Sequence, residues 1–510
     1  MNKFLLILLI ALCSIGIAGW FAHNFFLSPE THTCALHTDI KPFTHTNFPR
    51  HIPFRQKNGF INDISCLNQT PVYGIVDIRT VDNLRDALAF ARENNLKVST
   101  IGVRHSMGGQ AFYTDAIILD MSNFDAIELD LHNQTITVQS GATWKQIQEF
   151  LHPYELSVKA MQSSNIFSVG GSISVNAHGM DHRAGSIADT VKSLRIMLAD
   201  GTIKTLSPTH DAQLFNLVVG GYGLFGVVLD AVIEITPNLM YEEHKYSCTT
   251  AELPEIIAAV LKNPEIEIFY AHLSTSPVTF LNHAIVFTYK PYTKGDVEIP
   301  PLQSPKFLGF KRMLLNLSKT TFTGKLAKWV LEKYFNECEV KLEKDDLCLI
   351  SRNAVMYDSV EYTQSNMQNQ TDILHEYFIP QAQLVSFINQ MKTAIKKHTA
   401  TLLNCSIRLV HQEHNFLSYA RQPLIAIVLY LNQTISEKGN ADMADLTRSL
   451  IDIALAHNGT FFLPYQLHFT YEQLVRAYPQ WPAFIKEKKK YDPTQLFTQR
   501  LYEMYKVKPQ

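Results

Sequence analysis

The clearest periodicities lie between residues 73 and 237. Tyr73–Ile78 is an apolar run of strand length. Val81, Leu84, Ala87, Leu88 and Ala91 share one helical face, so the pattern predicts a helix over Val81–Asn94 with Thr80 as its N-cap. Lys97–Ile101 and Ala116–Leu119 predict further strands. Ile127–Leu131 and Thr135–Gln139 alternate on either side of His132-Asn133-Gln134, as hairpin strands do. A helix running from Gly141-Ala142-Thr143 to Leu151 turns Trp144, Ile147 and Leu151 inward. Leu194–Leu198 and Thr202–Leu206 read as strands about an Asp200-Gly201 turn, and Val227–Ile235 as a strand ending at Pro237. This order, β-α-β and then β-β-α, predicts an α+β fold.

After Pro237 glycine becomes sparse, and a domain boundary is placed there. Residues 265–290 are rich in strand formers. His375–Ile379, Ser406–Val410, Ile425–Asn432 and Thr460–Leu463 read as strands, Ala382–Lys396 and Asp442–His457 as helices. That series predicts an antiparallel sheet with helices on one face, a second α+β domain. A short helix, Trp481–Lys490, is broken at Asp492-Pro493, and Leu496-Phe497 is expected to return to the first domain. The expected organisation is an apolar lead over 1–27, a linker over 28–69 with little periodicity, a first domain over 70–237, a second over 238–470, and a returning segment over 471–510.

Residues 306–333 carry seven Lys/Arg and one Glu, interleaved with Phe307, Phe310, Leu314, Phe322, Trp329 and Val330 among others. Such a stretch fits a basic amphipathic helix lying on an anionic membrane, or a surface helix with a solvated basic face. The N-terminus poses a related choice. Lys3 precedes Phe4–Ala22, nineteen residues without a charge, close to the ~20 that span a bilayer. A signal-anchor helix is expected there; a signal peptide cleaved after Gly16-Ile17-Ala18 is the alternative. In the first case the body is membrane-anchored on the non-cytoplasmic side; in the second it is secreted.

Composition changes the picture only at the margins. A chain of 510 residues with 46% apolar and 18% charged residues is that of a packed globular protein, too long for one small core. The net charge of −2 gives no reason to expect nucleic acid as a partner. None of the seven cysteines shows C-x-x-C metal spacing. Outside the apolar lead there are six, which permits disulfides in an exported body. Cys34/Cys66 and Cys338/Cys348 are the nearest pairs in sequence, but connectivity stays open, as does the alternative of free thiols.

The candidate chemistry sits in three glycine-rich stretches. Ile101–Ala111 reads Ile-Gly-Val-Arg-His-Ser-Met-Gly-Gly-Gln-Ala. Its glycines allow sharp turns, and successive N–H groups in such a turn make a nest for phosphate oxygens. Residues 161–179 are rich in Ser, Gly and Asn. They suit a surface along which a long, polar, phosphate-bearing ligand lies, with β-compatible Ile173 and Val175 within it. Gly220-Gly221-Tyr222-Gly223-Leu224-Phe225-Gly226 is the third. Each alone also fits an ordinary loop.

Together, the spacing of Ile101–Ala111, Ser168–Gly179 and Gly220–Pro237 resembles the flavin domain of the vanillyl-alcohol oxidase family, whose FAD-binding domain is of the PCMH type. The Ser168–Gly179 stretch, the Leu198-Ala-Asp-Gly hairpin and the Tyr478-Pro, Tyr491-Asp-Pro and Leu496-Phe497 segments look most like the decaprenylphosphoryl-ribose oxidase branch. Arg104-His-Ser-Met-Gly-Gly-Gln-Ala looks like the cytokinin dehydrogenase and alditol or aldonolactone oxidase branches. The resemblance implies a two-subdomain FAD-binding domain, a substrate (cap) domain, and FAD as cofactor. By position, Ile101, Gly102, Val103, Arg104, His105, Ser106, Met107, Gly108, Gly109, Gln110 and Ala111 would wrap the pyrophosphate. Ser163, Ser168, Val169, Gly170, Gly171, Val175, Asn176, Ala177 and His178 would line the rest of the dinucleotide, with Val228 beside the adenine half and Phe462 near the isoalloxazine. His105 falls where covalent members attach the flavin.

Two departures bear on substrate. The ribose-oxidase branch carries lysine at the positions of Tyr465 and Met180. The alditol-oxidase branch carries Glu-x-Arg where this chain has Ser406-Ile407-Arg408. The activity implied is oxidation of a CH–OH group in a sugar, polyol, lactone or lipid-linked sugar, with oxygen, quinone or a carrier as acceptor. His178, Tyr465 and His468 are the candidate bases, and Arg408 the candidate anion stabiliser. No metal is expected. The competing readings are a catalytically silent flavin-binding module and a zinc hydrolase built on His105, His178 and His182.

Overall fold

The computed structural model describes residues 40–507 together with Gly19 and Cys34, apart from 304–305, 336–337, 343–346, 359, 364–366 and 368. The apolar lead expected to form an N-terminal helix therefore lies outside the described residues except for Gly19. Among the described residues no helix is long and apolar enough to cross a membrane.

The molecule is a mixture of helices and mostly antiparallel sheets, and three sheets carry it. In the first, Gly74–Asp77, Ile117–Asp120 and Val98–Ile101 run parallel, and Phe54–Lys57 adds an antiparallel edge. Residues 54–57 were expected within a linker. Their alternation, half-buried Phe54 and Gln56 against exposed Arg55 and Lys57, spans only four residues, too short to stand out as a period. The helix Val81–Glu93 forms as expected, with the Thr80 hydroxyl accepting from Asn83 N–H, and buries Leu84, Ala87, Leu88 and Ala91. Leu496 and Phe497 join the same core, and Val98 N–H donates to Leu496 C=O at 2.9 Å.

The second sheet is antiparallel in the order Ile203–Leu206, Val191–Met197, Val227–Pro237, Thr135–Gln139, Ile127–Asp130; Leu156–Val158 pairs with the end of the long strand. Ile173 and Val175, read as β-compatible, lie instead in a helix, Val169–Val175. Packing overrides the propensity of Ile173 and Val175 here. Gly170 lets the helix press on the second sheet, since a Cβ there would lie 2.7 Å from Ser140 Cβ. Asn176, left-handed at φ 49°, ends it.

The third sheet has nine antiparallel strands, in the order Val340–Leu342, Leu347–Ser351, Met240–Thr249, His283–Pro291, Ile268–Leu273, Thr401–Val410, Leu424–Thr434, Gln370–Ile379, Thr460–Phe461. Helices Leu384–Ile395 and Glu437–Ala456 cover one face through Phe387, Met391, Leu446 and Leu450. The second of these begins earlier than its apolar period, because Ser436 caps it through Gly439 N–H. The other face is left to line a cavity. Side chains alternate along a strand, so every second residue of these strands points there.

The basic stretch is not one helix but two, Leu308–Thr320 and Phe322–Tyr334, joined at Thr321. Cys34–Cys66 and Cys338–Cys348 are disulfides; of the other described cysteines, Cys405 is a buried thiol and Cys248 a half-buried one.

Candidate active site

The three sheets and the helical pair enclose a cavity of about 1430 Å³. Single small-molecule pockets typically span roughly 300–1,000 Å³, so this one has room for a dinucleotide and a further reactant.

One end is built mainly from backbone. After the strand Val98–Ile101 the chain loops through residues 102–111, with Arg104 and Met107 in the left-handed region at φ 58° and 62°. Ile101 to Met107, Gln110 and Ala111 line the cavity. Gly102 is required by close approach: a Cβ would overlap the Ser168 hydroxyl. Ser168, Gly170, Gly171, Val175 and Ala177 continue the wall, and Val228 closes it from the second sheet. The buried Ser140 and Thr100 hydroxyls and the Gln110 carbonyl oxygen find no hydrogen bond among the described residues, although all three side chains face the cavity. Buried polar atoms left this way are expected where a polar ligand completes the set.

Gly108 and Gly109, expected to wrap a phosphate, do not line the cavity. Gly108 packs on the Tyr465 carbonyl, and Gly109 N–H donates to Asp63 Oδ2 at 2.8 Å. The loop is braced by the lead-in, where the sequence showed no chemistry, and by the segment around Tyr465. Asn68 Nδ2 donates to the Met107 carbonyl at 3.2 Å and Gln466 Nε2 to the same oxygen at 2.6 Å. Gln110 Nε2 donates to Leu463 C=O at 3.0 Å. Burial pushes the Asp63 carboxyl up, against bonds from Ser65, Gly109 and Asn68. Val169 and Asn176 are likewise structural rather than lining. Val169 is fully buried in the core, and Asn176 Nδ2 donates to Glu413 Oε1 at 2.5 Å.

His105 lines the cavity edge-on to Phe167, at 5.9 Å between ring centroids. Burial, helped by the charge of Arg104, holds its imidazole down at about 4, so the ring is neutral at neutral pH.

The other end is built from side chains of the nine-stranded sheet. Glu376 is its centre. His178 Nε2 lies 2.5 Å from Glu376 Oε1, and Tyr465 Oη donates to Glu376 Oε2 at 3.1 Å. Arg408 Nη2 donates to Ser163 Oγ at 2.8 Å. Arg408 Nε and His178 Nδ1 are buried without a hydrogen bond among the described residues. Burial lowers the Arg408 guanidinium, opposed by the charge of Glu376. Burial, reinforced by the Glu376 charge, holds the Tyr465 hydroxyl well above its ordinary value and so protonated. Phe462 stands edge-on to Tyr465 at 5.9 Å. His178, Tyr465, Arg408, Ser163 and Phe462 are thus brought together.

Sequence reasoning missed Glu376. The signal was alternation: in Gln370–Ile379 the residues Asp372, Leu374 and Glu376 face the cavity while His375 and Tyr377 face the helices. His468 does not join the site. Its Nδ1 lies 3.0 Å from Thr447 Oγ1 on the helix behind the sheet, and burial together with Arg448 and Arg500 lowers it to about 4. The imidazoles of the zinc alternative diverge: His178 turns to Glu376 and His182 Nε2 to Ile266 C=O at 2.9 Å. Among the described residues no group of three His, Cys, Asp or Glu is placed to hold a metal ion.

Residues 73–207 match a family model described as an FAD binding domain. The chain is similar to decaprenylphosphoryl-beta-D-ribose oxidase of Mycolicibacterium smegmatis, 32% identical over 29% of this chain and 33% of that protein. It is also similar to L-gulonolactone oxidase of Mus musculus, 24% identical over 50% and 57%, and to mitochondrial L-galactono-1,4-lactone dehydrogenase of Arabidopsis thaliana, 26% identical over 44% and 36%. The chain thus spans about a third to just over half of the length of these curated relatives. The FAD binding domain match takes in the 101–107 loop and the Ser168–His178 wall at the backbone-built end of the cavity.

Proposed function

We propose that the protein is an FAD-dependent oxidoreductase that oxidises a CH–OH group of a sugar, lactone or lipid-linked sugar. The observation that carries this is the continuity of one cavity, from the Gly102–Met107 backbone to the buried His178–Glu376–Tyr465 cluster. The relatives named for sugar and lactone substrates support the donor class.

FAD, when bound, supplies the hydride acceptor. The chain's own residues handle the proton. Glu376 receives it from the substrate hydroxyl, and each of its oxygens is already fixed by one partner, His178 Nε2 on Oε1 and Tyr465 Oη on Oε2. That arrangement orients the carboxylate and shares its charge. Arg408, anchored on Ser163, keeps its Nε for a substrate or cofactor oxygen. Burial of the cluster excludes water from the proton's path.

The position of Glu376 has a particular sense. Glu376 and Ser406 pair with Val428 from opposite sides, so they occupy one row of the sheet, two strands apart. Where alditol-oxidase relatives carry Glu two residues before the arginine, this chain has Ser406 and brings a carboxylate from the far side of the same row. The substrate is accordingly seated differently against Arg408.

His105 is the residue through which we propose that FAD is tethered. Its neutral imidazole has a lone pair available at neutral pH, as a nucleophile requires. The disulfides Cys34–Cys66 and Cys338–Cys348 support a body that folds in an oxidising compartment, on the non-cytoplasmic side. Acid precipitation of the purified protein tests the tether. Yellow colour stays with the pellet if His105 holds the flavin covalently and moves to the supernatant if it does not. A protein with no flavin absorbance, even after incubation with FAD, contradicts the whole reading.

A further inference from the structure

The helical pair Leu308–Thr320 and Phe322–Tyr334 is turned inside out. A helix on a protein surface normally buries its apolar stripe and solvates its charges. Here two of the cations are inside. Lys319 is buried, with Nζ 2.7 Å from Asp372 Oδ2, and Arg312 is buried with Nη2 donating to the Glu361 carbonyl at 3.0 Å. Trp329 and Leu315 are buried as well, but many of the apolar residues are outside. Phe307, Phe310, Phe322, Val330, Leu331, Tyr334 and Phe335 are all exposed, Phe307 by 68% and Tyr334 by 74%. On the second helix the outward stripe is Thr323, Ala327, Val330, Leu331 and Tyr334, spaced as one helical face and without a charge. Scattered apolar residues on a surface need no explanation, but a contiguous set marks a contact.

We propose that this pair is the surface by which the protein docks onto an anionic lipid bilayer. Charge decides the occupant. Lys306 and Lys333 flank the apolar face, and the only acid in residues 306–335 is Glu332. That carboxylate is turned to His272 Nδ1 at 2.5 Å and accepts from Lys328 Nζ at 2.9 Å. Within residues 306–335, lysines beside aromatic and aliphatic side chains, with no exposed acid, complement phosphate headgroups over an acyl boundary. Lys333 Nζ sits 5.4 Å from the Tyr334 ring centroid, so the cation and the amphipathic aromatic reach the interface together. Phe307, Phe310, Leu331 and Phe335 also line the cavity, so its mouth opens at the docked face and an apolar molecule enters it from the bilayer. The docking surface is read from the helical pair alone and stands independently of the flavin.

Hydrogen exchange on the full chain tests this, with vesicles of mixed phosphatidylglycerol and phosphatidylcholine, vesicles of phosphatidylcholine alone, and no vesicles at two protein concentrations. The amides of residues 308–335 are expected to slow by about fivefold or more with the anionic vesicles and to change little in the other arms. A Phe307→Glu/Val330→Glu/Tyr334→Glu variant with unchanged far-ultraviolet circular dichroism is expected to lose that protection. Equal exchange with and without anionic vesicles, including in a chain that sediments with them through another segment, overturns the proposal. So does protection that follows protein concentration without vesicles, which would assign the face to a second copy. If the variant does not fold, the wild-type arms decide.

Discussion

The two ends of the cavity are made in different ways. The end proposed to hold FAD is backbone and small side chains: Gly102 against Ser168, the left-handed Arg104 and Met107, and Gly170 against Ser140. Its parts are near in sequence, and its shape depends on the absence of side-chain volume. The other end is large polar side chains, Glu376, His178, Tyr465 and Arg408, delivered from distant segments by strand register. The first end therefore tolerates changes of charge better than changes of size, and the second the reverse.

The sharpest break of that comparison is Gly102→Val. The added side chain overlaps Ser168, so flavin retention is expected to fall about 100-fold or more, read as visible absorbance per protein after purification. Glu376→Gln changes no volume. It is expected to keep its flavin content and to lower turnover by roughly 10²–10⁴, the range typical of a general base. If both properties fell together in each variant, the two ends would not be separable.

His105→Gln sharpens the comparison. An unfolded His105 takes up a proton below its ordinary value of 6.5, whereas the folded one refuses it until about 4. Its contribution to stability is thus complete above 6.5 and is lost as pH falls toward 4. In flavin-free protein the variant's urea midpoint is expected to drop less than the wild type's across that window. The smallest effect belongs to His468→Gln. That ring lies behind the sheet on Thr447, so turnover is expected to change by less than about twofold.

The difference between the ends also governs what the sequence discloses. Helix Val81–Glu93, the hairpin around residues 132–134 and the strands near residues 406 and 425 were legible, because their periods are local and their caps explicit. Gly102, His105 and Ser168, which only the family resemblance placed beside a cofactor, do line the cavity. Gly108 and Gly109 share that loop's composition, yet they serve its contacts with Tyr465 and Asp63, a distinction that only tertiary packing makes. Glu376 was invisible for want of register: nothing local says that its strand lies two away from Arg408. His468 was drawn in by its closeness in sequence to Tyr465, though the turn between them sends the two side chains to opposite sides of the sheet. The helical pair shows the same limit. Counting seven cations in residues 306–333 suggests a solvated basic face, but Arg312 and Lys319 are buried and Phe307, Phe310 and Phe322 are exposed.

The most direct test is a crystal structure of the flavin-loaded chain. The account predicts the pyrophosphate against the backbone of residues 102–107, the adenine half toward Val228, and the isoalloxazine beside Phe462 with its reactive edge facing Glu376. A flavin bound in the reverse direction, or with Glu376 out of reach of its ring, would contradict it.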